Sequence, residues 1–357
     1  MKKTLIAAAV AAAVAAPAAN AGVVIYGQLH IALDYLDADL STSGVSKVWE
    51  VNSRTSRIGF KGSEDLGNGL KAIWKLENTV RITDTGSTFG SHNGARGHWG
   101  SARNAYVGLA SDWGTVLVGR HDTPYKMAFY STGIDMLGDS IIDANSMYGI
   151  VEVRADNAIA YVSPNMNGLT VAAAIVPGEG YTNPVTGETF DGLADNYSIS
   201  AMYSNNGLKL AVGYESLDQG LPATAFGGTV PGLCATAALT PGDCTNTMVG
   251  AGYSMNGFDV SGVYIMQDYG IFEMDIAALS ASYTFGNNKV IATIGQSDLD
   301  VPLLGVSESE TGYGVALQHM FSKRTSAYAA YRNSSANLLG NYGTDEEGVS
   351  LGMIHKF

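Results

Sequence analysis

The residues best suited to making or breaking bonds are six histidines (His30, His92, His98, His121, His319 and His355) and two cysteines, Cys234 and Cys244. None sits in a catalytic spacing. No Gly-x-Ser-x-Gly elbow presents a serine. A His-Glu-x-x-His pair and a glycine-rich phosphate cradle are missing too. The cysteines lie close together in a Gly/Pro/Thr-rich segment with no histidine beside them, so a metal site is not expected. In an oxidising compartment they would form a local loop disulfide; the alternative is two free thiols. Neither an enzyme nor a cofactor is expected. What remains is fixed charge: arginine, lysine and carboxylate, which can set a field without making a bond.

Such charges need a scaffold that aims them. The chain carries 46% hydrophobic and only 15% charged residues, against roughly 25% charged in ordinary soluble domains. Yet beyond residue 21 no apolar run approaches the ~20 residues of a spanning helix. Alternation reconciles the two, because apolar and polar residues taking turns never accumulate hydropathy. Residues 23–35 place Val23, Ile25, Leu29, Ile31 and Leu33 on one face and Gln28, His30 and Asp34 on the other. Residues 70–77 set Leu70, Ala72, Trp74 and Leu76 against Lys71, Lys75 and Glu77. Residues 208–215 repeat the pattern. These are period-two strands.

Asn/Gly/Asp turns such as Asn205-Asn206-Gly207 and Met255-Asn256-Gly257 have hairpin chemistry. They alternate with long connections near 36–52, 79–101, 121–153, 179–195, 217–246, 268–274, 298–311 and 334–347. Seven short turns and eight long loops predict an all-β, transmembrane antiparallel barrel of about 16 strands. A soluble sandwich is the competing fold, and it would not require closure or an export address.

The address is legible. Lys2 and Lys3, an apolar stretch from Leu5 to Ala16, and Ala19-Asn20-Ala21 form a secretory leader. The reading is a signal peptide over 1–21 and one barrel domain over 22–357. Removing the leader's two lysines takes the net charge from −13 to −15. That acidic balance argues against nucleic acid, which needs clustered Lys and Arg. It is read as solubility of the exposed loops. The last strand alternates Val349, Leu351, Met353, His355 and Phe357 with Ser350, Gly352, Ile354 and Lys356. A closing strand ending on Phe357 resembles the signal read by the outer-membrane assembly machinery.

The stretch from Ser53 through Arg57-Ile58-Gly59-Phe60-Lys61-Gly62 to Ala72 resembles the second hairpin of Gram-negative general porins, the neisserial and β-proteobacterial branch in particular. So do Tyr26-Gly27, Ala102-Arg103-Asn104-Ala105-Tyr106-Val107-Gly108-Leu109, Gly114 to Arg120, and the His355-Lys356-Phe357 end. The resemblance implies an outer-membrane homotrimer in contact with lipid, each barrel having its own pore. It implies that the third long loop, His121 to Val153, folds inward. That loop carries Asp135, Asp139 and Asp143 among Phe129, Leu137, Ile141, Ile142 and Met147. It implies an arginine ladder opposite, at Arg57, Arg103 and Arg154.

Parity agrees with that ladder. Ile58 and Phe60 turn Arg57 and Lys61 inward, Tyr106 opposes Arg103, and Ile159 and Tyr161 oppose Arg154. Arginine facing lipid near the midplane would cost about 2–4 kcal/mol. Gln28 stands where enterobacterial relatives carry lysine, which removes a positive charge. Arg120 falls on the outer face, where the resemblance implies a trimer contact. The expected function is passive diffusion of ions and small hydrophilic solutes. Its selectivity would come from the ladder facing the acidic loop. A substrate-specific outer-membrane channel is the alternative. Trp49, Trp74, Trp99 and Trp113 form no lumen stripe that would favour a sugar channel.

Overall fold

Alternating runs joined by tight turns close on themselves. The computed structural model describes residues 22–38, 47–83, 99–182, 187, 189–217, 244–270, 272–303, 305–334 and 346–357. The strands are β1 (Val24–Ala38), β2 (Lys47–Ser53), β3 (Arg57–Gly67), β4 (Leu70–Val80), β5 (Trp99–Ser111) and β6 (Gly114–Asp122). Two helices follow, α1 (Pro124–Thr132) and α2 (Ala144–Tyr148). The chain continues through β7 (Arg154–Val162), β8 (Leu169–Val176), β9 (Tyr181–Thr182), β10 (Thr189–Phe190), β11 (Asn196–Asn205) and β12 (Leu208–Leu217). It ends with β13 (Cys244–Met255), β14 (Phe258–Asp268), β15 (Glu273–Phe285), β16 (Asn288–Val301), β17 (Val306–Met320), β18 (Thr325–Ser334) and β19 (Glu346–Lys356).

Both β2 and β3 pair with β1, so they share one stave, interrupted at Arg54-Thr55-Ser56. β9 and β10 form a separate hairpin. The result is a closed antiparallel barrel of 16 strands, as the turn count predicts. Closure runs from Gln28↔Lys356 to Ala38↔Glu346 between β1 and β19. Phe357 completes it: its N–H donates to the Gly27 carbonyl and its carbonyl accepts from the Gly27 N–H, both at 3.1 Å.

The short turns follow from their residues. Asn206 and Gly207 both take positive φ, 49° and 85°. That is the geometry whose twist matches two antiparallel strands, and Asn-Gly adopts it most cheaply. The 298–311 connection is shorter than expected: β16 and β17 stay paired out to Val301↔Val306. Asp298, Asp300, Ser307 and Ser309 read as loop because they are polar, but their backbones continue the ladder.

Outside, Leu33, Val107, Val118, Val212, Leu279, Ile294, Val315 and Leu351 form an exposed apolar band. At its short-turn edge, Tyr283 stacks on Phe258 at 4.2 Å between ring centroids. Aromatic residues suit that membrane–water boundary. Inside, the α1–α2 segment packs against the barrel wall. Tyr125, Phe129, Met147 and Tyr148 are fully buried, clustered with Met248, Ile265, Met274, Ile276 and Ile291 of the wall.

Candidate pore constriction

The loop between β6 and β7 is built to turn inward. Thr123 caps α1, its hydroxyl accepting from the Lys126 N–H, and Pro124 opens the helix. Asp143 caps α2 in the same way through the Asn145 N–H. Inward-facing polar residues of the wall then hold the loop backbone. Ser198 accepts from the Tyr125 N–H, and Ser261 donates to the Thr132 carbonyl. Gln267 receives the Val151 N–H and donates to the Gly149 carbonyl. Ser297 donates to Tyr148, Ser334 to Met147, and Arg332 to Ile141. Each bond satisfies a backbone group that has left regular structure inside the barrel. Arg332, whose direction parity leaves ambiguous, therefore points inward and also pairs with Glu346.

Because the loop covers the β11–β18 side, the open path runs along β1, β3–β7 and β19. The charged residues concentrate there. Arg57 Nη1 lies 3.3 Å from Asp139 Oδ2. This contact joins wall to loop. Gln28 pairs with Arg57 in the register and faces the same way. Lys61 lies over the Tyr26 ring, 5.3 Å from its centre.

Arg103 also points inward, but the parity argument for it needs correction. Tyr106 is on the inner face as well, opposite Lys75 and tilted against His121. A bulge reconciles the two. Between Leu76↔Ala105 and Asn78↔Ala102, Arg103 and Asn104 together oppose Glu77. A two-against-one bulge lets neighbouring side chains share a face. Arg103 Nε then meets Glu77 Oε1 at 2.7 Å.

Arg154 sits in a mostly buried cluster. It meets Asp122 at 2.6 Å and Asn104 Oδ1 at 2.8 Å. Lys126 bridges Asp122 and Glu152 at 3.5 and 2.9 Å. Arg54 pairs with buried Asp34 at 2.5 Å. Glu77, Asp122, Asp34 and Lys126 were absent from the expected set. Parity alone exposes Glu77 and Asp34 as inward carboxylates, and only strand register reveals which cations they meet.

The acidic loop also differs from expectation. Asp139 reaches the wall at Arg57, whereas Asp143 is buried and Asp135 is partly exposed. Asp143 turns into the loop, accepting the Asp139 and Asn145 N–H groups at 2.7 and 2.9 Å. Asp135 folds back over Gly138. Short helical segments inside a crowded lumen need acceptors for free N–H groups, and these carboxylates are spent on that need.

Burial raises the Asp143 carboxyl to about 6. Burial, then repulsion from Asp143 and Asp139, pushes Asp135 well above its usual range. An acid raised on folding favours the packed loop below its ordinary value of 3.8, and that stability is lost as pH rises through about 6. Asp143→Asn is therefore expected to flatten the change in single-channel conductance that wild type shows between about pH 5 and about pH 8. Identical titrations of the two proteins would contradict the assignment.

On the outer wall, Arg120 meets Asp156 of its own chain at 2.6 Å and donates to the Ala102 carbonyl. Cys244 is buried at the start of β13. Cys234 and the leader, residues 1–21, lie outside the described residues.

Comparison with known proteins matches residues 7–337 to the Gram-negative porin family. Outer membrane porin protein 32 of Delftia acidovorans is 27% identical, covering 100% of both chains. Major outer membrane protein P.IA of Neisseria meningitidis is 28% identical, covering 95% of this chain and 96% of its own. Among solved structures, an anion-selective porin from Comamonas acidovorans superposes with a TM-score of 0.70 at 21% identity. That match covers 95% of this chain and 100% of the other. A closed 16-strand barrel with an apolar belt, a lumen narrowed by its own loop and this family match give one conclusion: the chain belongs to the Gram-negative porins and is a diffusion channel of the outer membrane.

Proposed function

We propose that the channel passes ions and small hydrophilic solutes through a waist between the Arg57/Arg103/Arg154 wall and the Asp139 edge of the loop. The observation that carries this reading is the Arg57–Asp139 contact at 3.3 Å, a cation on the wall facing an anion on the inserted loop. Opposed fixed charges across a narrow path orient water and polar solutes, and an apolar solute must displace that ordered water. Lys61 extends the cationic wall, and Gln28 adds a neutral polar group opposite Arg57. The anion-selective porin among the solved relatives fits the same sign of preference.

Residues 1–21 are a leader removed on export, and a Cys234–Cys244 bridge braces a loop. Phe357 serves recognition by the assembly machinery. Three copies associate, with Arg120 at their contact; an outer membrane protein of Vibrio cholerae has been solved in a trimer form. Planar-bilayer recording of refolded protein tests the central reading through the reversal potential in a salt gradient. Arg57→Ser, Arg103→Ser and Arg154→Ser together are expected to shift selectivity toward cations. An absence of conductance steps would sink the channel reading, and an unchanged potential would sink the ladder.

A further inference from the structure

The arginines of the waist are largely neutralised where they stand. Arg57 has Asp139, Arg103 has Glu77, and Arg154 has Asp122. Three lysines are not matched in this way. Lys75 shares the single Glu77 carboxylate with Arg103, at 3.3 Å. Among the described residues, Lys61 and Lys356 have no carboxylate within ion-pair distance. Around Tyr26, Arg57, Arg103, Lys61, Lys75 and Lys356 thus present five cations to two side-chain carboxylates, Glu77 and Asp139, with the terminal carboxyl of Phe357 held at the Gly27 N–H.

Their placement costs energy. Lys61 and Lys75 are direct cross-strand partners on β3 and β4. Like charges in that relation repel. Both ammonium groups lie over the Tyr26 ring, 5.3 and 5.6 Å from its centre, so the aromatic face holds them together. Tyr26 is fixed by its own donation to Glu77 at 2.7 Å. Lys356 stands across from Gln28 in the β1–β19 register, near enough to Arg57 and Asp139 to feel both charges. It supplies a positive charge beside the position where Gln28 supplies none.

We propose that Lys61, Lys75 and Lys356, with Gln28 and Tyr26 between them, form a subsite for a small divalent oxyanion on the short-turn side of the waist, and that these lysines set the sign of ion selectivity more than the arginines do. The inference rests on the channel reading above. A doubly charged anion relieves the Lys61–Lys75 repulsion, whereas chloride relieves half of it. The subsite lies on the permeation path, so an anion held there reduces chloride current.

Bilayer recordings with hydrogenphosphate as probe test it. Lys61→Gln and Lys356→Gln are each expected to lower the chloride-to-potassium permeability ratio about sevenfold, since one unit charge about 7 Å from the ion in water changes each permeability about threefold and the two in opposite directions. Arg103→Gln with Glu77→Gln, which removes a matched pair, should lower it less. Hydrogenphosphate should reduce chloride current in wild type and in Lys61→Arg, but not in Lys61→Gln/Lys75→Gln. Reduction that persists in that double variant, or a ratio that follows the Arg103/Glu77 pair, overturns the subsite while leaving the channel intact. Wild type without conductance overturns the channel reading itself.

Discussion

Replacing Gly295 with leucine is expected to undock the constriction loop and raise single-channel conductance roughly twofold, because the narrowest section of the path limits flow. Three successive inward positions of β16 cradle one residue of the loop. Thr293 exchanges a hydrogen bond with the Tyr148 hydroxyl at 2.9 Å, and Ser297 donates to the Tyr148 carbonyl at 2.8 Å. Between them Gly295 leaves room for the ring: a Cβ there would lie 2.7 Å from it. No side chain fits without moving Tyr148. Overpacking a filled site costs about 1–3 kcal/mol, comparable to the two hydrogen bonds that anchor the residue. Gly314→Leu should act in the same direction, since its Cβ would lie 2.6 Å from Ile142 Cγ2. Ala292→Leu, on the same strand but facing lipid, is the comparison that should leave conductance unchanged. A Gly295→Leu channel with wild-type conductance would mean that the loop is held elsewhere.

That cradle illustrates what a sequence displays and what it conceals. The alternation of β1 and the Asn206-Gly207 turn are local signals, so the barrel and its strand number are readable from the chain. The cradle depends on which strand meets the loop, more than a hundred residues away in the chain (Tyr148 to Thr293), and no local pattern encodes that meeting. Arg103 shows a subtler limit. Its inward direction was expected, but from a parity count that a bulge interrupts. Tyr106 and Arg103 share the inner face because Arg103 and Asn104 together oppose Glu77. Asp143 shows a third. Its acidity suggested a lumen charge, whereas its place before Ala144-Asn145 makes it a helix cap. A carboxylate ahead of a helical run is a capping signal, and inside a water-poor segment that role takes precedence.

The same accounting of charge predicts the largest loss of stability. Asp122→Ala is expected to lower the unfolding free energy by about 3 kcal/mol, the lower end for breaking a buried ion pair, because Asp122 keeps some contact with water. Its carboxylate holds Arg154 at 2.6 Å and Lys126 at 3.5 Å, and accepts from Asn104 Nδ2 at 2.7 Å. Arg154 and Lys126 are almost enclosed, with side-chain exposures of 8% and 10%. Without Asp122, Arg154 is left in a crowded interior with Asn104 as its one polar neighbour among the contacts described. Lys126 retains Glu152. Urea titration of the protein refolded into lipid vesicles measures the effect, followed by the fluorescence of Trp49, Trp74, Trp99 and Trp113. The companion Arg154→Met separates two explanations. If the loss comes from an uncompensated cation, removing that cation as well restores part of the stability, and the double-mutant cycle gives a coupling well above about 0.5 kcal/mol. If Asp122 acts only through Asn104, the two losses add. The first outcome is the one expected, since Arg154 and Asp122 touch directly, and it would place the cost of this channel's polar waist in matched charges that fold together or not at all.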